Sequence, residues 1–108
     1  MVDVDEMSVK RLLHRFEHEI VGINQKNISD IAGDIGIKEL LRIGSKISIC
    51  RAQYLKQVLE MSCVEDVDIT TIMVDEMKRQ RIRYDELQLS FDALCHALKR
   101  GYVVVKED

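Results

Sequence analysis

The chain has 108 residues, a formal net charge of −3, 46% apolar and 32% charged residues, three cysteines, no proline and no tryptophan. That balance describes one globular domain and excludes a disordered chain. It argues against whole-surface attraction to nucleic acid or an anionic membrane, and no apolar run approaches the ~20 residues that cross a bilayer.

With aromatics at 5%, the core has to be aliphatic. Without proline the strongest helix breaker is missing, so the expected class is all-α: a small helical bundle of about four helices in a single domain over 1–108, ending in a short β-prone tail. The acidic start MVDVDEM has neither the basic nor the apolar region of a secretion signal, and a cytoplasmic location is the expectation. Cys50, Cys63 and Cys95 are widely spaced with no CxxC, so they read as reduced core thiols.

The first helix is expected over 5–26. Val9, Leu12, Leu13, Phe16, Ile20 and Ile23 recur at steps of three and four and form one apolar stripe. Asp3, Asp5 and Glu6 suit a helix N-terminus, and Lys10, Arg11, His14 and His18 make a solvated back. Residues 27–36 (NISDIAGDIG) are rich in turn and cap formers and read as a connection.

A long second helix is expected over 37–62, with two apolar stripes. One is Leu40, Ile43, Ile47, Cys50, Tyr54, Val58 and Met61. The other is Leu41, Gly44, Ser48, Ala52, Leu55 and Leu59. Gly44, Ser48 and Ala52, four residues apart, form a shallow groove that a second backbone can approach. A helix with two apolar faces is expected to be central, with one face meeting another chain. A break at residues 43–45 is the competing reading of Gly44.

Residues 63–68 read as an acidic loop with Asp68 as N-cap. A third helix is expected over 69–80, then a basic turn, then a fourth helix over 85–100 capped by Asp85 and Gln88. Gly101 is placed for a left-handed C-cap, with Tyr102 folding back onto Leu98. The β-prone residues 102–105 need a strand from elsewhere, such as a second subunit.

Catalytic and metal patterns fail on spacing. HRFEH (14–18) has Arg15 where a metalloprotease needs Glu, and no third ligand is evident. Neighbours Cys95 and His96 point about 100° apart on a helix. A calcium loop starting at Asp66 would meet Thr71 and Met77 at its glycine and carboxylate positions. The GxxG of 33–36 carries Asp34, the wrong sign for gripping a phosphate backbone. No enzyme, cofactor or metal is expected.

Two functions remain. The first is a non-enzymatic protein-interaction or regulatory module that self-associates as a homodimer or binds a protein partner through Leu41, Gly44, Ser48, Ala52 and Leu55. The second is a DNA-binding regulator using 69–105 as a helix-turn-helix unit, with Lys78, Arg79, Arg81, Arg83, Gln88 and Arg100 as contacts. The run ALKRGYVVV resembles the passage from recognition helix to first wing strand in winged-helix regulators. Against it, Glu86 and Asp92 lie on the helix that would read bases.

Overall fold

The computed structural model describes residues 5–107, so Asp3 and the rest of 1–4 lie outside the described residues. Three α-helices follow one another among them: α1 (Glu6–Ala32), α2 (Ile37–Met61) and α3 (Thr71–Lys99). Two two-residue strands, β1 (Ile35–Gly36) and β2 (Val105–Lys106), complete the elements with a 3-10 turn at Asp66–Asp68. The all-α class therefore holds with three helices, not four. The chain divides into two units, Met1–Gly36 with His96–Asp108, and Ile37–Cys95.

In the first unit, Asp5 caps α1 by accepting from the Ser8 backbone N–H at 2.7 Å. That backbone donor, with the Ser8 side chain, holds the Asp5 carboxyl below its ordinary 3.8 by stabilising the anion. The cap's contribution is therefore complete above about pH 4 and lost as pH falls through the lowered value. The Ser8 amide resonance is expected to titrate with a midpoint below 3.8, and a midpoint at or above that value would remove the cap.

Helix α1 runs six residues past the expected end at Lys26. Asn27, Ser29 and Asp30 each lose only about 0.5–0.7 kcal/mol relative to Ala inside a helix. A Lys26–Asp30 ion pair at 3.2 Å bridges the extension, and Ile28 is half-buried on it. The stop comes at Gly33, whose φ of 81° is left-handed and favours glycine.

The tail returns to this end of α1. Gly101 (φ 75°) closes α3, with the Tyr102 N–H donating to Ala97 O at 2.9 Å and the Gly101 N–H to Leu98 O at 3.1 Å. These are the two bonds of a Schellman cap. The Gln25 amide donates to Gly101 O at 2.7 Å. β2 then pairs in parallel with β1, Ile35 with Val105 and Gly36 with Lys106, and Lys106 meets Asp34 at 2.6 Å. The partner strand expected from elsewhere is thus Ile35–Gly36 of the same chain.

The expected stripe of α1 is not a core. Val9 (42% exposed), Leu12 (62%), Leu13 (56%), Phe16 (61%) and Ile23 (53%) all face outward. Periodicity identified the apolar side, but of the stripe only Ile20 is half-buried, where it and Phe16 border Lys99, Arg100 and Tyr102 of the same unit.

The second unit is an antiparallel hairpin of α2 and the Thr71–Cys95 stretch of α3. Helix α2 passes through Gly44 without a break. Asp68 falls in the 3-10 turn, and the cap of α3 is Thr70, whose hydroxyl accepts from the Met73 N–H at 3.2 Å.

From there α3 is one helix to Lys99, and the expected turn at 81–84 does not occur. No glycine or proline interrupts 71–99, and Lys, Arg, Gln and Met favour helix. Asp85 is an interior residue. The Gln88 side chain donates to Asp92 at 2.9 Å and takes no part in a capping box. The half-buried residues Met73, Met77, Gln80, Tyr84, Leu87, Phe91 and Leu94 run through the supposed turn at steps of four and three, one continuous stripe.

Facing them on α2 are Leu40, Ile43, Ile47, Cys50, Tyr54, Gln57 and Met61, with Ile47 and Cys50 buried. Arg51 ties the two helices. Its Nε donates to the Tyr84 hydroxyl at 3.1 Å and its Nη2 to Gln88 at 3.3 Å. Its guanidinium sits 5.3 Å from the Tyr84 ring centre, and Tyr84 stacks on Tyr54 at 6.5 Å.

Candidate protein-interaction face

The two stripes of α2 have different fates. The first faces α3, apart from Val58 at 40% exposed. The second is outward: Leu41 is 67% exposed, Leu55 49% and Leu59 68%, with Ser48 and Ala52 also exposed and Gly44 half-buried. At about 100° per residue these side chains fall within one sector of the helix, and Ser45 joins them as another small, exposed member. Toward the C-terminal end, Ala52, Leu55, Leu59 and Cys63 line an open apolar depression, rimmed by Lys56 and Glu60. Single exposed apolar residues are ordinary, whereas a row of them along one helix face is the mark of a contact surface.

Gly44 sits in this row with nothing within 4 Å of the position a Cβ would take, and the same is true of Gly22 in α1. Either glycine weakens its helix by about 1 kcal/mol relative to Ala, with no close approach inside the chain to require it. Gly22→Ala is expected to raise Tm by roughly 4–8 °C at every protein concentration. Gly44→Ala is expected to match that gain only in dilute solution, since its methyl enters the contact face. Equal gains at all concentrations would separate Gly44 from any interface.

The six nucleic-acid candidates are not brought together as a helix-turn-helix reader. Lys78, Arg79, Arg81 and Arg83 lie in the interior of α3 rather than in a turn, and steps of about 100° spread them around the helix. Arg79 pairs with Glu76 at 3.3 Å. Lys78 and Arg81 border a small cleft with Tyr54, Val74 and Met77. Gln88 is half-buried and bonded to Arg51 and Asp92, so its amide is engaged within the hairpin. Arg100 belongs to the other unit, beside a cleft lined by Phe16, Ile20 and Tyr102.

The remaining chemistry-bearing residues are dispersed. Among the described residues no group of three or more His, Cys, Asp or Glu side chains is placed to hold a metal ion. The three thiols are free, Cys50 buried, Cys63 exposed and Cys95 half-buried. No helix among the described residues is long and apolar enough to cross a membrane.

Sequence reading missed the cluster of Arg51, Tyr54, Tyr84 and Gln88. The signal was present: Tyr54 lies on the inward stripe of α2, and Tyr84 continues the steps Met73, Met77, Gln80 along α3. Only the assumed turn hid it. No protein-family model, no curated protein and no solved structure matches this chain.

Proposed function

We propose that the protein is a non-enzymatic helical interaction module that binds protein chains by helix packing, and that it self-associates through the outward face of α2. The observation that carries this reading is the exposed row Leu41, Gly44, Ser48, Ala52, Leu55 and Leu59. A helix stripe of this kind gains stability when another layer covers it, and the hairpin alone buries just Ile47 and Cys50. Small residues in the middle of the row let a second helix backbone approach closely, while Leu41 and Leu55 supply apolar contact on either side. α2 then packs against its own α3 along one stripe and against the partner helix along the other, the two-sided contact its stripes suit.

Sedimentation equilibrium of the purified chain tests this directly. The expected result is a species of about twice the 12.5 kDa chain mass, since two-fold dimers are the commonest closed assembly. Only 12.5 kDa particles at every accessible concentration would remove self-association from the reading.

A further inference from the structure

We infer that the occupant of the hairpin's open side is a second copy running in the opposite direction, α2 on α2 and α3 on α3, about a two-fold axis at the level of Arg51 and Gln88. This rests on the interaction reading above and adds the partner and its orientation.

The sizes along α2 are the first observation. Leu41, Ser45, Ser48, Ala52, Leu55 and Leu59 follow at alternating steps of four and three, the spacing of a seam between two paired helices. Opposed antiparallel about the middle of the row, Leu41 meets Leu59, Ser45 meets Leu55 and Ser48 meets Ala52. The Leu55 of each copy then fills the notch over Ser45 of the other, large against small, as close packing prefers. A parallel pair instead sets Ser45, Ser48 and Ala52 each on its own copy, three thin layers in succession.

The charges along α3 are the second, independent observation. Within the hairpin stretch Thr71–Cys95, at about 100° per residue, Lys78, Arg81, Asp85 and Asp92 share one flank of α3, with the cations in its first half and the carboxylates in its second. No salt bridge joins Lys78 or Arg81 to an acidic side chain among the described residues. An antiparallel copy brings Arg81 beside the other copy's Asp92 on both sides of the axis. A parallel copy sets cation on cation and carboxylate on carboxylate, which repels.

The two patterns share one axis. The seam of α2 is centred near Cys50 and Arg51, and the span from Arg81 to Asp92 is centred near Glu86 and Leu87. Arg51 donates to Tyr84 and to Gln88, so these centres lie level across the hairpin. Gln88 in turn donates to Asp92, which puts the charged flank on the side of the hairpin where Arg51 meets α3.

Two experiments on the full chain test orientation. In the first, Arg81→Asp and Asp92→Arg are each expected to weaken association at least about tenfold at low salt, and the double variant R81D/D92R is expected to recover it. Mixing the two single variants is expected to form the mixed dimer in preference to either homodimer. A double variant as weak as the singles overturns the pairing, and a variant that merely misfolds is exposed by loss of its helical circular dichroism.

In the second, Leu41→Cys and Leu59→Cys are prepared separately in a Cys63→Ser background and oxidised alone and mixed. The antiparallel arrangement gives a 41–59 disulfide in the mixture only, because like positions stand roughly 27 Å apart along the axis at ~1.5 Å per residue. A 41–41 disulfide would mean a parallel dimer: the orientation fails while the interaction reading stands. A monomer by sedimentation removes both.

Discussion

Ser48→Arg is expected to return the associated protein to single chains without loss of helix. Ser48 is exposed in the chain and sits at the centre of the outward row of α2, where the closest approach of a second helix falls. Arginine there places a long cation between two apolar surfaces with no carboxylate opposite it. Leaving a charge buried and unpaired costs about 3–5 kcal/mol, and each ~1.4 kcal/mol is tenfold in affinity, so association should weaken at least about a hundredfold.

The isolated hairpin should not suffer, because the site is solvated there and Arg is a better helix former than Ser. Sedimentation equilibrium and far-ultraviolet circular dichroism on the same samples separate the two effects. Ser48→Ala serves as the control and should associate as the parent does. Unchanged association of Ser48→Arg would move the interface off this face.

The parts of the fold that were legible in the sequence are those fixed within a few residues of the chain. Gly101 with Tyr102 specified the end of α3 because a left-handed cap is a local event, and its two backbone bonds are made as the residues imply. The start of α2 followed from Gly36 and the apolar run after it. What failed was punctuation that is polar but weak. Asn27 to Asp30 in α1 and Asp85 in α3 are cap formers, yet each penalises a helix interior by less than continuing the helix gains. Packing decides such cases: Ile28 at one place and Tyr84 at the other carry a half-buried side across the apparent stop.

Long-range partners were illegible for a different reason. Nothing near Val105 names Ile35 as its strand neighbour, because the pairing closes a loop of most of the chain. Nor does the spacing of Val9 to Ile23 say whether that stripe is covered; it marks an apolar side and leaves open what lies on it. The candidate face of α2 stands between these cases. Its residues were readable from the four-residue spacing of Gly44, Ser48 and Ala52, and their exposure follows once α3 occupies the other stripe. The charged flank of α3 could not be seen until the turn at 81–84 was removed, for only a continuous helix puts Lys78, Arg81, Asp85 and Asp92 in one register.

That continuity has its own decisive test in Glu86→Pro. If Asp85 capped a separate helix, residue 86 would be its first helical position, where proline's fixed φ and missing N–H are favourable. In the continuous α3 the same residue is deep in the interior. Proline there removes a backbone hydrogen bond and drives its ring against the carbonyl one turn earlier, at a cost of about 3 kcal/mol or more. The kink would fall beside Tyr84 and Leu87, pulling the Arg51–Tyr84 contact and the stripe beyond it out of line with α2. Against a typical domain stability of about 5–15 kcal/mol, that loss is large. Urea unfolding of Glu86→Pro should show a midpoint lowered accordingly, and the Tyr84 and Gln88 resonances should lose their Arg51-dependent shifts. Glu86→Ala, which removes the charge and keeps the helix, should leave both unchanged. A proline variant as stable as the parent would restore the turn, and with it the two-helix geometry that a helix-turn-helix reading of 69–105 requires.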